Sequence, residues 1–250
     1  MIILKTPEQI DIMDEANKMV HCVLDYAESV VEVDMTSEEL DVLVEEKLNT
    51  FDGATPTFKG YMGYPKASCI SVNSEIVHGI PSKTQFKNGD IISIDFGVSF
   101  NGFVGDAAKS FILGEPHNQS DINLIKETKY ALEEGIKQMV VGNRLHDISA
   151  AIDAVAKLSG FGNIRNFCGH GIGEKMHERP SVFNYIEPKE PNIRLQEGLV
   201  LALEPMFTIG SRETKILDDG WTVVTADGTN SAHWECSVAI TKDGPRVLGK

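Results

Sequence analysis

The chain runs through one order of elements twice, and that repetition limits the folds open to it. Thr6-Pro7-Glu8-Gln9 carries helix-start signals: a hydroxyl N-cap, proline at the first helical position and glutamine three residues after the cap. Apolar residues then recur at Ile10, Met13, Ala16, Met19, Val20, Val23, Leu24, Ala27 and Val31, the period of one helical face. Thr36-Ser37-Glu38-Glu39 is a second capping box and predicts a helix ending near Gly53. Strand-like segments follow at 69–73 (CISVN), at 75–80 (EIVHGI) and on both sides of Asn101-Gly102. The second half predicts a helix over about 121–141 stopped by Gly142, another over about 146–159 stopped by Gly160, and then strands.

Three landmarks keep a fixed offset. Gly53 and Gly162, Gly89 and Gly198, and Asp95 and Glu204 are each 109 residues apart. GDIISID and GLVLALE share a glycine, an apolar run and a terminal acid, which points to a diverged internal duplication. The expectation is one α/β (α+β) domain over 1–250 with internal halves at about 7–113 and 120–243, each running helix, helix, strands.

Within the first half, GDIISIDFGVSFNGFVGD at 89–106 reads as a buried hairpin that nevertheless contains Asp95 and Asp106. Asn-Gly between alternating segments is a strong signal for a two-residue turn. Such a turn pairs Asp95 with Ala108 and Gly97 with Asp106. The two aspartates then share one strand face as diagonal neighbours, about 7–8 Å apart at the backbone. That face is small and polar (Ser93, Asp95, Gly97, Ser99), while Ile92, Ile94, Phe96, Val98 and Phe100 line the other. Later segments alternate in the same way. Glu204 follows Val200 and Ala202, and Glu235 lies with His233, Ser237 and Ala239 opposite Trp234, Cys236, Val238 and Ile240. Four carboxylates gathered inside a sheet would repel unless protonated or neutralised, and two divalent ions would balance their charge. Acids at strand ends in water would explain one such residue better than four.

Bulk properties bound the remaining choices. A 250-residue chain that is 42% hydrophobic can bury a large core. A formal net charge of −14 disfavours a nucleic-acid surface. Cys22, Cys69, Cys168 and Cys236 form no C-x-x-C pair, which fits reduced thiols and a cytoplasmic setting. No stretch reaches the roughly 18 apolar residues of a membrane span, so no membrane partner is expected.

The segment NFCGHGIGEKMHERP at 166–180 places His170 between two glycines and His177 seven residues on. Glycines admit close backbone approach, so His170 is expected to reach an ion without crowding. The Gly-rich run lacks a P-loop ending and full dinucleotide spacing. Neither H-E-x-x-H nor G-x-S-x-G occurs.

The ordered set Asp95, Asp106, His170, Glu204, Glu235, with HGIP at 78–81, GHGIG at 169–173 and EP at 204–205, resembles the type I methionine aminopeptidases over nearly the whole chain. The resemblance implies the pita-bread fold, two pseudo-symmetric halves enclosing two divalent metal ions. It implies that Asp106 and Glu235 bridge the ions, that Asp95 chelates one, and that His170 and Glu204 complete the other. It implies a metal-activated water as nucleophile with Glu204 as its proton shuttle. His78, alone an ordinary loop histidine, and His177 then resemble the two histidines that contact the scissile amide. Tyr61, Tyr64, Cys69, Met176 and Trp221 match the pocket that receives the methionine side chain, although each alone reads equally as core packing. The ligand types admit Mn, Fe, Co or Zn. Implied partners are N-terminal Met peptides and nascent chains, met near the ribosome by a monomer without direct nucleic-acid binding.

Some positions depart from the family pattern. The last ligand sits in His233-Trp234-Glu235-Cys236, where the family usually reads Gln, aromatic, Glu, His. Alternation puts His233 on the face of Glu235, close enough to influence the metals. Val104 and Met176 also replace larger residues. An Xaa-Pro peptidase of this fold, a metal-free binding module and a metal-free amidinohydrolase are the rival readings. Only about six residues precede the first helix, against the N-terminal domain usual in the first rival, and the five retained ligand types weigh against the others.

Overall fold

The computed structural model describes residues 2–250. Four helices form where the sequence signals them: α1 (Pro7–Val30), α2 (Ser37–Leu48), α3 (Gln119–Lys137) and α4 (Leu145–Ser159). Thr6 and Thr36 both complete capping boxes, with Gln9 and Glu39 as return partners. Two helix ends come earlier than expected. α2 stops at Leu48, and Gly53 serves a later turn with φ of 79°. α3 stops at Lys137, where tight bonds from Gln138 N–H to Gly135 O and from Met139 N–H to Ile136 O turn Met139 into the core.

Nine strands make the main sheet: β1 (Thr55–Pro56), β2 (Cys69–Val72), β3 (Ile91–Phe100), β4 (Phe103–Ile112), β5 (Gly169–Gly171), β6 (Glu178–Val182), β7 (Val200–Leu203), β8 (Glu235–Thr241) and β9 (Gly244–Val247). Their order is β1-β3-β4-β8-β7-β5-β6, with β2 also paired to β3 and β9 to β8. These strand pairs are all antiparallel. The order is nearly symmetric about the β4/β8 seam: β3 and β7 flank it, and β2 and β5 pair with those flanking strands. At the seam the register contains two residue pairs, Glu235 with Ala108 and Cys236 with Ala107.

Helices cover one face of this sheet, half by half. Val20, Leu24 and Ala27 of α1 and Leu40 and Val44 of α2 pack against Ile92, Ile94, Phe96 and Val98. Leu124, Ala131 and Leu132 of α3 and Ile148 and Ile152 of α4 pack against Leu201, Leu203, Val238 and Ile240. Because strand side chains alternate, the residues between these apolar ones face the other way. That opposite face holds the acids.

The β3–β4 hairpin has the expected register over ten residue pairs, with Asp95 opposite Ala108 and Gly97 opposite Asp106. Asn101 and Gly102 take φ of 48° and 81°, both positive as a primed turn requires. The 231–241 segment, expected as one strand, is two. Ser231–His233 pairs with Met206–Thr208, which also pairs with Gly162–Asn163 in a separate sheet, and β8 begins at Glu235. The chain changes sheets at Trp234, whose N–H donates to Pro205 O at 3.2 Å.

The fixed offset holds for only part of the repeat. β7 begins at Val200, 109 positions after Ile91. α3, however, begins at Gln119, 112 positions after Pro7. Gly89 and Gly198 are equivalent: their φ values are 88° and 84°, and their N–H groups donate to Leu113 O and Ile240 O. Gly53 and Gly162 are not, since Gly162 lies in a strand where a Cβ would meet Thr208 Oγ1 at 2.3 Å.

Candidate metal centre

The polar face of the sheet forms the floor of a cavity lined by Asp95, Asp106, His170, Glu204 and Glu235, with His78 and His177 on its walls. All seven sequence-predicted catalytic and metal residues therefore meet in one place. Asp95 and Asp106 come from the hairpin and Glu235 is the first residue of β8. Glu204 was expected in a strand but lies one residue beyond the end of β7, where Pro205 prevents the strand from continuing.

Asp106, His170 and Glu235 are buried, and each offers a ligand atom within 4.8 Å of the other two. His170 Nε2 lies 3.7 Å from Asp106 Oδ2 and 3.8 Å from Glu204 Oε1. Its other nitrogen, Nδ1, is 2.9 Å from Gly171 O. A carbonyl only accepts, so Nδ1 carries the proton in the neutral ring and Nε2 turns a lone pair toward the carboxylates. Burial, followed by His177, lowers the His170 pKa to about 4, consistent with that neutral ring.

The carboxylates are shifted the other way. Burial pushes Asp106 up to about 7, opposed by a hydrogen bond with Glu235. Burial also raises Asp95, Glu204 and Glu235 well above the usual range, with the charge of Asp106 adding to the effect on each. Asp95 Oδ1, Asp106 Oδ1 and Glu235 Oε1 are enclosed without a hydrogen-bond partner among the described residues. Acceptors left unpaired in a closed site are costly. Hard oxygen donors, one bare imidazole nitrogen and orphaned acceptors together fit divalent cations.

The glycines around His170 serve a purpose different from the one expected. A Cβ on Gly169 would come within 2.2 Å of Ala202 O, and one on Gly171 within 2.4 Å of Arg179 O. They let β5 fit between the backbones of β7 and β6 rather than clearing space at an ion. Gly97 likewise has no room for a side chain, because Phe58 Cε1 would lie 2.8 Å from its Cβ.

The upper cavity is aromatic and sulfur-rich. Tyr61, Tyr64, Cys69, Met176 and Trp221 all line it, together with Phe58, Met62, Phe167 and Cys168, which no motif in the sequence marks. Cys168 adjoins the Gly169-His170-Gly171 run, and Phe58 could be inferred from whatever must fill the space beside Gly97. Tyr64 OH anchors its wall by donating toward Ser68 O at 3.0 Å and Gly79 O at 2.9 Å. Trp221 meets the Tyr64 ring edge-on at 5.1 Å.

His78 takes a left-handed φ of 59°, unusual outside glycine, which holds its ring edge-on to Phe167 at 5.6 Å. Burial, then His177, lowers its pKa to about 4. Burial lowers His177 as well. His233 sits behind the floor, buried, with Nε2 3.8 Å from Glu235 Oε2. It does approach Glu235, but from a neighbouring strand rather than from the same one. Val104 is buried in the apolar cluster that contains Met13 and Met176.

The chain matches the model of metallopeptidase family M24 over residues 11–242. It is 46% identical over 248 residues to a methionine aminopeptidase of Clostridium perfringens, covering 99% of this chain and 98% of that relative. The crystal structure of methionine aminopeptidase from Thermotoga maritima superposes with a TM-score of 0.96 at 40% identity, covering 100% of both chains. The prolidase from Pyrococcus horikoshii shares the fold, with a TM-score of 0.80 at 21% identity, and the match covers 99% of this chain and 63% of the prolidase. With the pita-bread architecture in place and a buried carboxylate–histidine cluster that could hold a metal ion, this chain belongs to metallopeptidase family M24.

Proposed function

We infer that this chain removes the N-terminal initiator methionine from peptides and nascent proteins. The observation that carries this reading is the floor of the cavity: four carboxylates, Asp106 and Glu235 buried and Asp95 and Glu204 partly so, and a proton-fixed imidazole beneath an aromatic, sulfur-rich pocket. Asp95, Asp106, His170, Glu204 and Glu235 would hold two divalent ions drawn from Mn, Fe, Co or Zn. Bound there, such ions supply Lewis acidity to the scissile carbonyl and make water a nucleophile near neutral pH.

The chain's own groups do the rest. A Glu204 carboxylate oxygen accepts the proton released by the attacking water and delivers it to the departing amine. His78 and His177, held neutral, donate N–H toward the scissile amide as charge develops on its oxygen. Tyr61, Tyr64, Cys69, Met176 and Trp221 enclose the thioether by dispersion and by contact of sulfur with aromatic rings. A small second residue is preferred because a larger one would crowd the acids.

Nascent chains at the ribosome are the substrates this reading implies, met by a monomer in the cytoplasm. No helix among the described residues is long and apolar enough to cross a membrane. The test compares Met-Ala-Ser with Ala-Pro-Ala after loading with Mn(II), Fe(II) or Co(II). Cleavage of Met-Ala-Ser is expected, and cleavage of Ala-Pro-Ala alone would replace this reading with an Xaa-Pro peptidase. No cleavage and no bound metal would leave a binding module.

A further inference from the structure

Tyr61 is in the pocket wall, but its hydroxyl points to a task that pocket lining does not require. Tyr61 OH lies 2.8 Å from His177 Nδ1. The two rings stack with centroids 5.5 Å apart at an interplanar angle of 30°. We propose that Tyr61 is a positioning residue that donates its hydroxyl proton to His177 Nδ1, and so fixes the imidazole as the tautomer with its N–H at Nε2.

The argument begins with the count of protons. A neutral imidazole has one N–H to place, and the hydrogen bond made by one nitrogen decides which of the two carries it. When the phenol donates to Nδ1, the proton resides on Nε2. That is the nitrogen left for the cavity, because Nδ1 is occupied. The role of His177 as an amide donor rests on the function proposed above, and this inference supplies what that role needs: a ring that cannot present a bare lone pair to the substrate carbonyl.

Local structure makes Tyr61 suited to hold the bond. Its N–H donates to Phe58 O at 2.9 Å, its carbonyl accepts from Tyr64 N–H at 2.9 Å, and Gly60 N–H donates to Tyr64 O at 2.8 Å. This single 3-10 turn, Tyr61–Gly63, is framed by Gly60 and Gly63 at φ of 86° and 92°. Tyr64, the next residue, is buried and tied down through its own hydroxyl. The turn is thus closed on itself and anchored beneath, while the Tyr61 ring projects onto His177. The two histidines share one device with different partners: Gly171 O places the proton of His170 on Nδ1, and the Tyr61 phenol places that of His177 on Nε2.

Two measurements test the assignment. Long-range proton–nitrogen NMR of metal-free protein, with His177 assigned through His177→Ala, should show Nε2 protonated and Nδ1 bare. In Tyr61→Phe, which keeps the ring stack and removes the hydroxyl, that pattern should shift toward a mixture of tautomers. On Met-Ala-Ser, kcat of Tyr61→Phe should fall about tenfold with KM changed less than about twofold, a fraction of what a positioned acid contributes. In a His177→Ala background the same substitution should have no further effect on kcat. A protonated Nδ1 in the unaltered protein would overturn the proposal, as would a raised KM at constant kcat or a full loss on top of His177→Ala. The NMR result stands whether or not any peptide is cleaved, so failure of the functional reading remains distinct from failure of this one.

Discussion

The two halves of the sheet reach one site by different routes. In the first half both acids belong to a single hairpin, Asp95 and Asp106 being eleven residues apart with ten register pairs between the strands. In the second half Glu204 and Glu235 are separated by a departure into two other sheets, and β7 and β8 share four register pairs. The third strands differ as well. β2 sets Cys69 opposite Asp95, whereas β5 sets His170 opposite Ala202. One half supplies acids by local geometry, and the other supplies two acids and the imidazole through long-range pairing. A site of this kind can retain its first half as a folded hairpin while the chemistry of the second diverges.

The largest effect should come from Asp106→Asn, which removes a charge from the centre of the cluster. We expect loss of bound metal by elemental analysis, together with a fall in Met-Ala-Ser cleavage of more than about 10³-fold. A fully active, metal-loaded variant would break the claim that both halves converge on Asp106.

Exchange across the two third strands sharpens the contrast. His170→Ala should weaken metal affinity by about 10- to 100-fold or more, whereas Cys69→Ala should leave affinity within about threefold and act mainly on KM for methionine peptides. Equal effects on affinity, read by calorimetry, would make the halves chemically alike.

Titration of the metal-free protein gives a smaller signal, and its sign follows from the shifts. Asp106, raised to about 7, contributes stability that is fully present below its unfolded value and is lost as pH rises through the folded one. The other three acids are raised too, and their contributions are lost in the same direction. His78, His170 and His233, lowered to about 4, 4 and 3, act oppositely, their contribution being lost as pH falls below about 6.5. Raising pH from 6.5 to 8.5 should therefore lower the metal-free Tm by about 5 °C or more. Metal should abolish the decline, because its binding displaces protons and strengthens with pH. An unchanged metal-free Tm across that window would mean that the acids are not held together by burial.

The smallest effect belongs to the hairpin turn. Gly102 has φ of 81° and open space where a Cβ would go, so Gly102→Ala should cost only the left-handed backbone penalty, about 1 kcal/mol in urea unfolding. A much larger cost would show that the first half depends on more than its local turn.

The same contrast explains what could be read in the sequence. The hairpin register followed from Asn101-Gly102 and alternation alone, since every interaction that sets it lies within about twenty residues. The helix starts at Thr6 and Thr36 were equally local. In the second half, alternation carried the faces of Leu201 and Leu203 correctly but ran His233 and Glu235 into one strand, because nothing in that segment signals the change of sheet at Trp234. Convergence of Glu204, Glu235 and His170 was legible only through the repeat and the family resemblance. The roles of Gly169 and Gly171 needed the neighbouring backbones of Ala202 and Arg179, and the Tyr61–His177 contact joins residues 116 positions apart.

The seam between β4 and β8 is narrow. Two residue pairs, helped by Ser237 donating to Asp106 O at 3.0 Å and by the Ser110 hydroxyl bonded to the His233 backbone, join the halves along the centre of the main sheet. Asp106 and Glu235 sit on opposite sides of that line. Holding a shared cation would therefore be a mechanical act as well as a chemical one, a clasp across the joint. Loading the site would then couple the motions of the two halves, so that the reaction centre also acts as the fastener of the fold.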